Sequence, residues 1–132
     1  MTNKYSTDEF KIDQIVCIDF PRDRRREKLH LFAEVIDNIP ISSRCWARPL
    51  AIARSNSESF ELEFLHDLRD AAQLILPTHL FRYALDTEVI PLLSELYNPT
   101  QELKRSENAQ SILYQFISDL YQLRELDQRK TN

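Results

Sequence analysis

The sequence contains no glycine in its 132 residues. Glycine takes positive φ without steric cost and lets a ligand come close to the backbone. Loops that cradle phosphates, and the strained elbows that present nucleophilic serines, depend on it. Its absence removes the dinucleotide fingerprint, the P-loop, the G-x-S-x-G elbow and the kinase glycine loop, and with them the common nucleotide enzymes. Left-handed turns must then fall to residues such as Asn38, Asn56 and Asn98.

Cysteine is scarce as well, with only Cys17 and Cys45, each in apolar surroundings. The start, MTNKYSTDEF, lacks the apolar core of an export signal. Two buried free thiols in a reducing cytoplasm are expected, in preference to a disulfide. No run approaches the roughly 18 consecutive apolar residues of a membrane span, so no membrane association is expected. Hydrophobic residues at 42% and charged residues at 29% suit a folded chain rather than a disordered one. The length suits one domain, 1–132, with a real core.

What is present changes character at Pro77. Phe10, Ile12, Val16, Ile18 and Phe20 alternate with Lys11, Asp13 and Asp19, the period-two pattern of a half-buried strand that Pro21 would end. Residues 29–37 fit two periods. As a helix, Leu29, Phe32, Ala33 and Ile36 share a face; as a strand, Leu29, Leu31, Ala33 and Val35 do. The extended look of the segments that follow tilts the reading to strand, with Pro49 marking an edge strand. Extended segments are expected at about 12–20, 28–37, 44–54, 60–66 and 73–76. After Pro77, Thr78 is placed to cap a short helix with Leu80, Phe81, Ala84 and Leu85 inward, and Asp86 or Thr87 to cap a second ending at Tyr97. A cap at Thr87 would keep Pro91 within the first four helical residues, whose amides need no intrahelical partner. The fold class is therefore α+β: a small antiparallel β-barrel or curled sheet over about 10–76, then helices at about 79–97 and 106–128.

Chemistry-bearing residues are few. His30, His66 and His79 each stand beside leucine or phenylalanine, and none has a histidine or cysteine at metal-ligand spacing. His30 with Glu34, and His66 with Asp70, are four apart and would align only on helices. Glu61 and Glu63 share a strand face and read as solvated. A Ser/His/Asp triad needs no sequence adjacency, and nothing in the sequence selects one. No cofactor and no metal is implied.

The sharpest local signal is basic. Residues 22–54 hold eight Lys and Arg against four acids, a net of +4, in a chain whose total is −4. Arg22, Arg24, Arg25, Arg26 and Lys28 cluster, and Arg44, Trp46 and Arg48 share a strand face able to stack on and pair with an anionic partner. The plain alternative is a solvated loop paired with Asp23 and Glu27. In the last helix, Ile112, Leu113, Phe116, Ile117, Leu120, Tyr121 and Leu123 spread over roughly 180°, wider than the stripe of about 100° that one core needs. Ile117 and Tyr121 therefore read as a protein interface, with a homodimer the simplest cover. The function expected is that of a non-enzymatic cytoplasmic interaction or regulatory protein acting by protein–protein docking. A nucleic-acid-binding regulator using the arginines and Trp46 is the alternative, disfavoured by the acidic total.

Overall fold

The computed structural model describes residues 9–22, 27–56, 61–98 and 107–131. Alternation decides the ambiguous stretch: Leu29, Leu31, Ala33 and Val35 all turn to one side and pack into one core. Six strands result: β1 Ile15–Arg22, β2 Glu27–Ile39, β3 Arg44–Asn56, β4 Glu63–Asp67, β5 Leu74–Pro77 and β6 Arg82–Tyr83. Two helices follow, α1 Asp86–Tyr97 and α2 Ala109–Thr131. Every pairing is antiparallel, in the order β4-β3-β2-β1-β6, with β5 also on β3. Among the described residues the sheet ends on two edges and does not close. It is the curled-sheet form of the α+β class, not the barrel.

Its two faces carry different helices. On one, Val16, Ile18, Leu31, Ala33, Val35, Cys45, Ala47 and Ile52 meet Ala109, Leu113, Phe116 and Leu120 of α2. On the other, Cys17, Phe32, Leu50, Ala51 and Ala53 meet Leu92 and Leu96 of α1. The parity switch along β3 comes from a bulge: Ala33 opposes Pro49 and Phe32 opposes Ala51, which leaves Leu50 as the extra residue. Leu50 and Ala51 thus both face α1. Pro49 lies in a central strand rather than at an edge, at this bulge and in the gap between β5 (opposite 44–47) and β4 (opposite 51–54). A missing N–H breaks no ladder there. Cys17 and Cys45 are buried free thiols in the two separate cores.

Other expectations are corrected. The first strand begins at Ile15, not near residue 12, because Ile12 and Asp13 form a turn with Asp13 at φ 71° and Ile12 exposed. Pro21 lies within β1, opposite Lys28, instead of ending the strand. Positive φ among the described residues falls to Asp13 and Ser43, not to asparagines; Asn98 has φ −130°. Asn38 works through its side chain, accepting from the Phe10 amide (3.0 Å) and donating to the Phe10 carbonyl (2.6 Å). The short helix expected at 79–85 is a 3-10 turn, Thr78–Leu80, followed by β6. The cap of α1 is Leu85, whose amide donates to Glu88 Oε1 at 2.8 Å, so Pro91 lies past the first turn.

The α2 stripe carries a direct consequence. Leu113 is buried against the sheet, so Leu113→Ala should destabilise by about 2–5 kcal/mol. Urea unfolding should show a lower midpoint with an unchanged slope, whereas Tyr114→Ala, on the exposed side, should shift it little.

Candidate functional site

Two places on the α1 side of the sheet concentrate chemistry. The first is a polar network within an apolar face. Asp19 on β1 and His30 on β2 are directly opposed in the ladder, and their side chains meet at 2.7 Å (Nδ1 to Oδ1). The other ring nitrogen of His30 lies 2.7 Å from Ser55 Oγ on β3. Arg82 donates to Asp19 Oδ2 through Nε at 2.7 Å and to Oδ1 through Nη2 at 3.0 Å. The same guanidinium donates to both oxygens of Glu88 on α1, at 2.8 and 2.9 Å. Two carboxylates against one fixed cation leave the network one negative charge when His30 is neutral.

Burial alone would raise the Asp19 pKa, but hydrogen bonds from His30 and Arg82 outweigh it and hold the carboxyl well below its ordinary range. Glu88 is likewise lowered, its burial outweighed by Arg82 and the Leu85 amide. Cys17 Sγ, a His30 nitrogen and a Glu88 oxygen lie within 4.8 Å of one another, a grouping of metal-ligand types. Burial, with Asp19 adding to it, pushes the Cys17 thiol far above its ordinary range and keeps it protonated, while a ligating thiol must lose its proton. Arg82 already supplies the positive charge that the carboxylates require. The arrangement is a charged hydrogen-bond network.

The second place is a cleft where α1 ends on the sheet. Ahead of the bulge, Cys45 and Ala47 turn towards α2, so Arg44, Trp46 and Arg48 turn to the α1 side, as Leu50 does. Arg48 and Leu50 line a cavity of about 330 Å³ with Ile15, Arg69, Leu93 and Tyr97. Arg69 is held by buried Asp67 through two parallel bonds, Nε to Oδ1 at 3.1 Å and Nη2 to Oδ2 at 2.8 Å. Arg48 is looser, 3.4 Å from Glu34 and more than half exposed. Trp46 is half-buried, its Nε1 donating to Gln73 Oε1 at 3.0 Å, with exposed Ile75 opposite it on β5. Along α1, Ile90, Leu93 and Tyr97 form a second, exposed apolar stripe beside the buried row of Leu92 and Leu96, and Leu96 lines the same cavity; Tyr97 is 74% exposed.

The structure thus unites Arg44, Trp46 and Arg48 and separates Lys28 from them. Lys28 is opposite Ser55, six residues along β2 from the Glu34–Arg48 pair, or roughly 20 Å at strand rise. Arg22 ends β1. Arg24, Arg25 and Arg26 lie outside the described residues. Ile117 packs against the α2-side core, while Tyr121 is 42% exposed. Glu63 accepts from Arg54 rather than standing free in solvent. His66 lines a cavity of about 250 Å³ beneath α2, and burial lowers its pKa. The four-residue pairings of His30 with Glu34 and His66 with Asp70 place nothing on a common helix face, because the first lies within β2 and the second runs from β4 into a turn. Sequence reasoning missed Asp19, Ser55 and Arg82, which long-range pairing brings together, and also Glu88 and Arg69, whose partners Arg82 and Asp67 are near in the chain. Leu93 and Tyr97 did carry a signal: they are four apart and form an apolar row beside that of Leu92 and Leu96.

By its fold the chain is an α+β protein with helices on both faces of an open antiparallel sheet. Compared with protein-family models, with curated proteins and with solved structures, it shows no match. Among the described residues no helix is long and apolar enough to cross a membrane.

The network predicts an acid limit. Asp19 and Glu88 have folded pKa values below their ordinary 3.8 and 4.5, so their stabilisation is complete above those values and is lost as pH falls through and below them. Urea midpoints should fall between pH 5 and pH 2.5, less steeply in Asp19→Asn. Arg82→Met should destabilise by roughly 1–3 kcal/mol at neutral pH, less than a fully buried pair because Arg82 and Asp19 each stay 36% exposed.

Proposed function

We propose that the protein acts by docking onto another protein, through the cleft between α1 and β3 and the sheet face that continues from it. One observation carries this reading: Leu93 and Tyr97, turned outward from α1, line the same cleft as Arg48. Exposed apolar stripes on a folded chain mark interfaces, and tyrosine, tryptophan and arginine supply most strong anchors. The chemistry favours a partner that sets an apolar side chain into the cleft and a carboxylate against Arg48. Arg44, for which no ion pair is present among the described residues, would take a second. In this reading the protein is a cytoplasmic regulator whose effect is exerted by what it binds.

Affinity purification from the native host, with wild type and Trp46→Ala/Tyr97→Ala compared, tests it. Both substitutions lie on exposed or half-exposed side chains, so the variant should fold. A protein captured by wild type should bind the variant at least about tenfold more weakly, or 1.4 kcal/mol. Arg44→Ala/Arg48→Ala should weaken capture most at low salt. A partner held equally by all three chains contradicts the surface. Nucleic acid in the captured complex, read from the absorbance ratio, would replace the reading with strand binding.

A further inference from the structure

We infer that Ser55, His30 and Asp19 form a nucleophilic line that cleaves small carboxylic esters, an activity separate from docking. The direction of each bond follows from the partners. An ionised carboxylate only accepts, so His30 Nδ1 donates to Asp19 across 2.7 Å. In the neutral ring Nε2 then carries the lone pair, and Ser55 must donate its hydroxyl proton to it across 2.7 Å. A base oriented by a carboxylate and hydrogen-bonded to a hydroxyl is the constellation that activates serine on unrelated folds.

The surroundings fit this use. Arg82 fixes the Asp19 carboxylate from the far side and Glu88 fixes Arg82, so the orienting group is itself held. The network carries one net negative charge while His30 is neutral, and an imidazolium formed during attack brings it to zero. Cys17 lies 3.9 Å from His30 Nδ1 but is buried on the wrong side of the ring, whereas Ser55 is half-buried near the end of β3. Lys28 is directly opposite Ser55 in the ladder, and its exposed side chain shares that face. Its ammonium is the cation available to a developing oxyanion.

In the step proposed, Ser55 Oγ bonds to the acyl carbon as its proton passes to His30 Nε2. The ester C–O bond then breaks, and the leaving oxygen takes that proton. Water, deprotonated by the same nitrogen, hydrolyses the acyl-serine to release the carboxylic acid and restore Ser55. Esters suit the site better than amides, because an alkoxide or phenolate departs with less help than an amine does.

Labelling of the intact chain with a fluorophosphonate probe at about pH 8 tests the inference without any variant. Peptide mass spectrometry should place one adduct on Ser55 in the folded protein and none after unfolding in urea. Hydrolysis of p-nitrophenyl acetate should fall roughly 10²–10⁴-fold in Ser55→Ala and in His30→Gln. Circular dichroism of the variants distinguishes loss of the nucleophile from loss of fold. No adduct on Ser55, an adduct without turnover, or wild-type turnover in Ser55→Ala each overturns the inference. Docking through Trp46 and Tyr97 would be untouched by that result.

Discussion

The Asp19 carboxylate accepts from His30 on β2 and from Arg82 on β6, and Arg82 carries the link on to Glu88 at the start of α1. Four elements meet at this half-buried charge. Removing any member leaves the others uncompensated inside an otherwise apolar face, and that penalty exceeds what the intact network contributes in net stability. The network explains why residues 81–85 do not form a helix despite their spacing. Arg82 must lie beside β1 to reach Asp19, and the short pairing of Val16 with Tyr83 and Cys17 with Arg82 places it there. It explains the position of α1 as well. Glu88 both holds Arg82 and satisfies the Leu85 amide, so the helix starts at Asp86 although no side chain suited to capping precedes it.

The bulges distribute the rest. Leu50 switches the parity of β3, so the strand feeds Cys45 and Ala47 to one core and Ala51 and Ala53 to the other. The outer half of the α1-side face, with Arg44, Trp46 and Arg48, extends past the end of the helix. A sheet of this length outruns the single helix that covers it there. The half-buried Trp46 and the exposed Arg44 and Arg48 are those left over, and Tyr97 continues them. The charged network around Asp19 and the Arg44, Trp46 and Arg48 row therefore occupy opposite ends of one sheet face.

Much of this was legible. Period two in Leu29, Leu31, Ala33 and Val35 is the β2 core face, and alternation put Arg44, Trp46 and Arg48 together. The apolar rows of α2 needed only the helical period. Local pattern failed where long-range pairing decides. Asp19 and His30 meet because hairpin register opposes them, and register is not visible until the turn is known. Leu80, Phe81, Ala84 and Leu85 have helical spacing, but tertiary demand on Arg82 overrides it. The left-handed positions went to Asp13 and Ser43 because turns sit where strands end, and Asn38 was committed to Phe10 instead.

The central claim is that α1 and β3 present a docking cleft. A photo-crosslinking phenylalanine analogue placed at position 97, and separately at 114 on exposed α2, tests it in the native host. One discrete adduct is expected from position 97, lost when Trp46 is also changed to alanine, and none from position 114. An adduct from 114 alone, or the same diffuse labelling from both, would contradict it.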